Sequence, residues 1–162
     1  MNDVVPLISA SRPAVQRFIA ERWGADFVVA HGVVYYPHEL PGFAAFDEAG
    51  AIVGLITYKV AGDECEVVIL DSLRPGTGLG SALMAAAVEA ARAAGCWRVW
   101  LITTNDNLKA LRFYQKRGFR LCALYPNALA ETRRLKPSLP LLGQDDIPLR
   151  DELALELRLE AA

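Results

Sequence analysis

Pro75-Gly76-Thr77-Gly78-Leu79-Gly80-Ser81-Ala82-Leu83-Met84 leads without a break into an Ala/Leu-rich run that ends at Gly95. Gly76, Gly78 and Gly80 make a turn whose backbone amides carry little side-chain cover, and the run behind them has the composition of a strong helix. Leu79, Leu83, Met84, Ala87, Val88 and Ala91 share one face of that helix, with Ser81, Ala85, Glu89 and Arg92 opposite. The apolar, β-branched stretch before it, Glu66-Val67-Val68-Ile69-Leu70-Asp71, reads as a strand. A helix that opens from a glycine turn gathers unpaired N–H groups and the positive end of its dipole at one point, which suits a phosphate. Strand, glycine turn and helix are therefore read as a pyrophosphate cradle. From Gly78 the chain lacks the third glycine of G-x-G-x-x-G, and no Gly-Lys-Ser/Thr follows, which disfavours a dinucleotide or ATP.

Working outward, the 162 residues suit one domain spanning 1–162, and a formal charge of −2 provides no basic field for nucleic acid. Cys65, Cys96 and Cys122 are odd in number and far apart, as expected of reduced thiols in a cytoplasmic protein. His31 and His38 make no metal set, and no signal segment or membrane-length apolar run is expected. Val4 to Ile8 reads as a short strand broken by Pro6. A helix capped by Ser11, carrying Val15, Phe18, Ile19 and Trp23, ends at Gly24. Short strands follow at 27–30 and 33–36, then a hairpin of 43–46 and 52–60 around Asp47-Glu48-Ala49-Gly50. Arg98 to Thr104 is a nearly continuous apolar strand, so the helix before it forms a βαβ crossover between parallel strands. Asn107 is placed to cap a helix over 108–117 that stops at Gly118, and 119–125 is the next strand. Residues 126–150 read as irregular, with Arg133, Arg134 and Lys136 on a solvated face. Strict alternation of Leu153, Leu155, Leu157 and Leu159 predicts a final strand despite helix-favouring composition.

This order resembles the GNAT (Gcn5-related) N-acetyltransferase fold, and two blocks carry the resemblance. Pro75 to Leu83 is similar to the family's Q/R-x-x-G-x-G/A loop for the acetyl-CoA pyrophosphate. Asn107-Leu108-Lys109-Ala110-Leu111-Arg112-Phe113-Tyr114-Gln115-Lys116-Arg117-Gly118-Phe119 is similar to N-x-x-A-x-x-F/L-Y-x-x-x-G-F. The chain departs at the Gln/Arg position, which is Pro75 with Arg74 beside it.

The resemblance implies an α/β fold with a central mixed sheet of about six to seven strands flanked by helices, and acetyl-CoA as co-substrate without a metal. It implies backbone contacts to the pyrophosphate from Gly76, Thr77, Gly78, Leu79, Gly80 and Ser81. Pantetheine would meet a strand end near Leu70, or near Ser72 and Leu73, depending on the direction of counting. An amide of that strand end is the expected oxyanion donor. Asn107 caps its helix, contacts the cofactor, or does both. Tyr114 is the candidate acid for the leaving thiolate, because a phenol stays protonated at neutral pH. Glu66 is the first candidate base, with Glu64 and Asp71 as rivals. The acceptor, a small-molecule or peptide amine, would lie in a groove formed by the first helix, residues 31–40 and the 126–150 segment. Trp23, Tyr35, Tyr36 and His38 are its candidate walls, and the Lys136-Pro137-Ser138-Leu139-Pro140 stretch either lines the groove or only connects strands. Neither nucleic acid nor membrane is expected as a partner, and oligomeric state is not legible. The alternative is a non-catalytic acyl-CoA-binding or regulatory module on the same fold.

Overall fold

The computed structural model describes residues 3–160. Its main sheet has seven strands in the order β1-β4-β5-β6-β7-β9-β8, and a separate hairpin is formed by β2 and β3. The strands are β1 (Val5–Pro6), β2 (Val28–Ala30), β3 (Val33–Tyr35), β4 (Gly42–Phe46), β5 (Ile52–Ala61), β6 (Glu64–Ser72), β7 (Arg98–Thr104), β8 (Arg120–Tyr125) and β9 (Glu152–Arg158). The helices are α1 (Arg12–Trp23), α2 (Leu79–Ala93), α3 (Leu108–Lys116) and α4 (Leu129–Leu135). This mixed sheet flanked by helices is the expected architecture, with Pro6 on an edge strand where its missing N–H does no harm.

The buried residues of α2 are Leu79, Leu83, Met84, Ala87, Val88 and Ala91, the same six that the helical period selects. They pack with Cys65, Val67, Val99, Leu101 and Leu155 on one face of the sheet. The opposite face buries Val15, Phe18 and Ile19 of α1 against Tyr35, Leu55 and Ile69. Helix α2 approaches β5 closely: a Cβ on Gly54 would lie 2.8 Å from Leu79 Cδ2 and 3.0 Å from Leu83 Cδ1. Glycine at 54 therefore lets the start of α2 rest on the sheet.

Strands β6 and β7 are parallel only from Glu64↔Arg98 to Val67↔Leu101. At the same level β6 bulges against β5, because Thr57 pairs with Ile69 while Tyr58 pairs with Val67, which leaves Val68 as the extra residue. Beyond it β6 stays with β5 and β7 stays with β9, so the sheet parts into two halves. Strand β9 is inserted between β7 and β8, antiparallel to both; Leu155 joins the α2 core, and the neighbouring Ala154 is buried as well.

Three expectations are corrected. Ser11 supplies no side-chain cap to α1; its hydroxyl instead accepts the Ile8 N–H at 3.2 Å, and a 3-10 turn precedes the helix. The segment 126–150 contains α4, whose Leu129 and Thr132 are buried. The basic residues there are not all solvated. Arg133 donates to the Leu149 and Pro140 carbonyls, and Lys136 Nζ donates to the Trp23 carbonyl at 3.0 Å. Only Arg134 of the three keeps a largely exposed side chain, at 79%. Short-range hydropathy cannot reveal that a cation's partners are distant carbonyls.

Candidate active site

The cleft between the β6 end, the glycine turn and α3 has a volume of about 640 Å³. Leu70, Ser72, Gly76, Gly78, Leu79, Gly80, Ser81, Asn107 and Tyr114 all line it, so the fold brings together most of the residues picked from the two sequence blocks. Gly78 takes φ 83° as the N-cap of α2, and no side chain caps that helix. The first intrahelical bond runs from Ala82 N–H to Gly78 C=O at 3.0 Å, so the amides of Leu79, Gly80 and Ser81 precede the helical ladder. Helix α3 differs: Asn107 Oδ1 accepts from Ala110 N–H at 3.2 Å while Asn107 also lines the cleft.

Three cations not singled out for this role border the same cleft: Arg74, Lys109 and Arg117. Arg117 is fixed by bonds to Ser81 Oγ at 2.9 and 2.6 Å and to the Phe113 carbonyl at 2.9 Å, with its guanidinium 3.5 Å from the Phe113 ring centroid. Pro75 removes a side-chain donor from the loop, and these cations come instead from the loop and from both ends of α3. The signal for them was their position beside the two blocks, Arg74 before the glycines and Lys109 and Arg117 within the α3 block. An uncapped helix start with three flanking cations fits a pyrophosphate.

Strand β6 contributes backbone. Leu73 N–H donates to Val53 C=O at 2.8 Å, so it faces β5 and is engaged. Alternation then turns the amides of Leu70 and Ser72 the other way, toward the side that β7 has left. Both residues line the cleft and Leu73 does not. Thr77 also lies off the cleft lining, its hydroxyl donating to the Arg74 carbonyl at 2.6 Å.

Tyr114 packs edge-to-face with Phe113, at a centroid distance of 5.4 Å, and lies 5.6 Å from Phe119. Burial among these rings pushes its phenol up to about 12. Glu66 lies elsewhere. Cys65 and Val67 join the α2 core, so the side chain between them points to the opposite face, into a cavity of about 280 Å³ lined in part by His31, Tyr35, Lys59 and Trp100. The residue is 6% exposed; Tyr35 Oη donates to Oε1 at 2.5 Å and His31 Nε2 lies 2.7 Å from Oε2. Burial, then the bond to Glu66, raises the Tyr35 phenol, which stays a donor. The rival carboxylates are engaged by cations: Glu64 by Arg98 at 2.7 Å, and Asp71 by Arg22 at 2.7 and 3.2 Å.

Of the expected acceptor walls, Tyr35 joins Glu66, while Tyr36 meets both Phe27 and His38 at 6.1 Å. Lys136 lies 5.5 Å from the Phe27 centroid and donates to the Trp23 carbonyl, and His38 also lines a groove with Leu7, Ile8 and Arg12.

Gly78→Val is expected to weaken CoA binding at least tenfold while the protein still folds. A β-branched residue at φ 83° is strained by about 1–2 kcal/mol, and position 78 itself lines the cleft. Isothermal titration with CoA, alongside circular dichroism, checks this; unchanged affinity in a folded variant removes the loop from the site.

The model of the Acetyltransferase (GNAT) family matches residues 12–119. The uncharacterized protein YdhI of Bacillus subtilis (strain 168) is 41% identical over 153 residues, covering 94% of this chain and 96% of its own. Among solved structures, an IAA acetyltransferase from Bacillus cereus ATCC 14579 superposes with a TM-score of 0.74 at 19% identity, covering 98% of this chain and 100% of its own. A Bacillus subtilis acetyltransferase in complex with CoA superposes at 0.68 and 17% identity, covering 99% and 100%.

Proposed function

We propose, since this chain belongs to the GNAT acetyltransferase family, that its residues 1–162 work as one N-acetyltransferase domain. It moves an acetyl group from acetyl-CoA to the amine of a small molecule or peptide by direct attack on the thioester. The observation that carries this reading is the parting of β6 from β7 beyond Val67 and Leu101. That seam lies between a cationic cleft holding Tyr114 on one face of the sheet and a cavity holding Glu66 on the other.

Acetyl-CoA supplies an activated acyl group and a thiol leaving group. The amides of Leu79, Gly80 and Ser81, with Arg74, Lys109 and Arg117, hold its pyrophosphate. The amide of Leu70 or Ser72 donates to the carbonyl oxygen as negative charge develops there. Glu66 takes a proton from the acceptor ammonium, the amine forms the C–N bond, Tyr114 gives its proton to sulfur as the C–S bond breaks, and the second proton that nitrogen loses restores the Tyr114 phenol. Three free thiols, Cys65, Cys96 and Cys122, suit a reducing cytoplasm. Among the described residues no helix is long and apolar enough to cross a membrane.

The test has two arms. CoA at about 100 times its Kd should stabilise the fold by about 2.7 kcal/mol, seen as a raised Tm, while ATP should not. Acetyl-CoA incubated with amines, polyamines, amino acids and N-terminal peptides should release free thiol with one class. Protection by ATP and none by CoA overturns the cleft assignment. CoA binding with no thiol release from any class favours the non-catalytic binding module.

A further inference from the structure

The β2–β3 hairpin is tied to the sheet through its turn. His31 and Gly32 take φ 42° and 77°, the left-handed pair of a tight hairpin. From there the His31 ring reaches Glu66 Oε2, while its backbone N–H donates to Glu152 Oε2 at 3.3 Å. Glu152 is 2% exposed and belongs to β9, two strands away from β6. Tyr35 spends its one hydroxyl proton on Glu66 Oε1, and its oxygen lies 3.2 Å from His31 Nε2. An ionised Glu66 accepts only, so the network assigns a proton to Nε2. Lys59 is the cross-strand partner of Glu66, yet its ammonium lies over the Tyr35 ring, 5.8 Å from the centroid. The carboxylate is therefore held by a phenol and an imidazole rather than by the lysine ammonium.

We infer that His31 is the positioning residue of Glu66. Its Nε2–H fixes Oε2 as Tyr35 fixes Oε1, the other lone pairs remain for an acceptor ammonium, and Glu152 holds His31 in place through the backbone. The inference rests on Glu66 being the base.

His31→Gly tests it, because φ 42° suits glycine and the deletion of a side chain that is itself 29% exposed leaves an imidazole-sized space beside Glu66 that solvent can reach. With the acceptor found by the thiol-release panel, kcat should fall about 10- to 100-fold while KM for acetyl-CoA holds. Millimolar imidazole should restore much of the rate to His31→Gly and none to Glu66→Gln. His31→Asn, which tolerates the same φ but fills the space, should be slow and not rescued. Without any acceptor, ¹⁵N NMR of the parent should place the His31 proton on Nε2, and Glu66→Gln should shift that resonance. A parent-like rate in folded His31→Gly, failure of imidazole to rescue it, or a proton on Nδ1 overturns the inference. If Glu66→Gln itself keeps the parent's rate, the base assignment falls first.

Discussion

Tyr114→Phe should lower single-turnover acetyl transfer by about 10²–10⁴, the span of a positioned acid, with CoA affinity and Tm nearly unchanged. Phenylalanine keeps the ring against Phe113 and Phe119 and removes only the proton that the side chain donates. A ground-state hydrogen bond lost with the hydroxyl is worth about 1 kcal/mol. Burial holds the Tyr114 phenol at about 12, weaker as an acid than free phenol. Because the folded pKa is raised, the acid form persists as pH rises, so Tyr114 should cause no loss of rate between pH 7 and about 10. Single-turnover measurement removes product release from the comparison. A variant that keeps the parent's rate reduces Tyr114 to packing.

Glu66→Gln should reduce kcat/KM for the acceptor by about 10²–10⁴ at neutral pH and leave CoA binding alone, because Glu66 lies outside the cationic cleft. The deficit should also shrink with alkalinity. A base is needed because an aliphatic ammonium keeps its proton up to a pKa of about 10.4, and each unit of pH delivers roughly ten times more free amine from solvent. Glutamine keeps the shape and the acceptor for Tyr35 but cannot take a proton. A pH–rate series for parent and variant separates this from a structural role: a deficit independent of pH means that Glu66 only anchors the β2–β3 hairpin. Removing the rivals should act differently. Glu64 and Asp71 each hold an arginine, so their loss should show first in stability.

Much of this molecule is local in origin. The glycine turn, the six-residue stripe of α2, the Asn107 cap and the alternation of β9 follow from periodicity and backbone stereochemistry within a few residues. Those are the properties that a one-dimensional string carries. The family resemblance of the two blocks rests on the same elements, and through them much of the cleft lining was legible, though not its cations Arg74, Lys109 and Arg117. Helix α4 was not, because seven residues without a side-chain cap take their helicity from burying Leu129 and Thr132, which is a tertiary effect.

The opposition of Glu66 and Tyr114 across the sheet was decided only in three dimensions. It depends on the register of β6 against β5, on the extra residue at Val68, and on β7 remaining with β9 where β6 does not. Partner choice was equally invisible. Glu66 faces Lys59 across the strands but bonds Tyr35 and His31, and Arg117 reaches Ser81 from 36 residues away. A residue's period determines which face it occupies. Which groups meet it there depends on strand register and on segments brought close by the fold, and those are set by the packing of the whole chain.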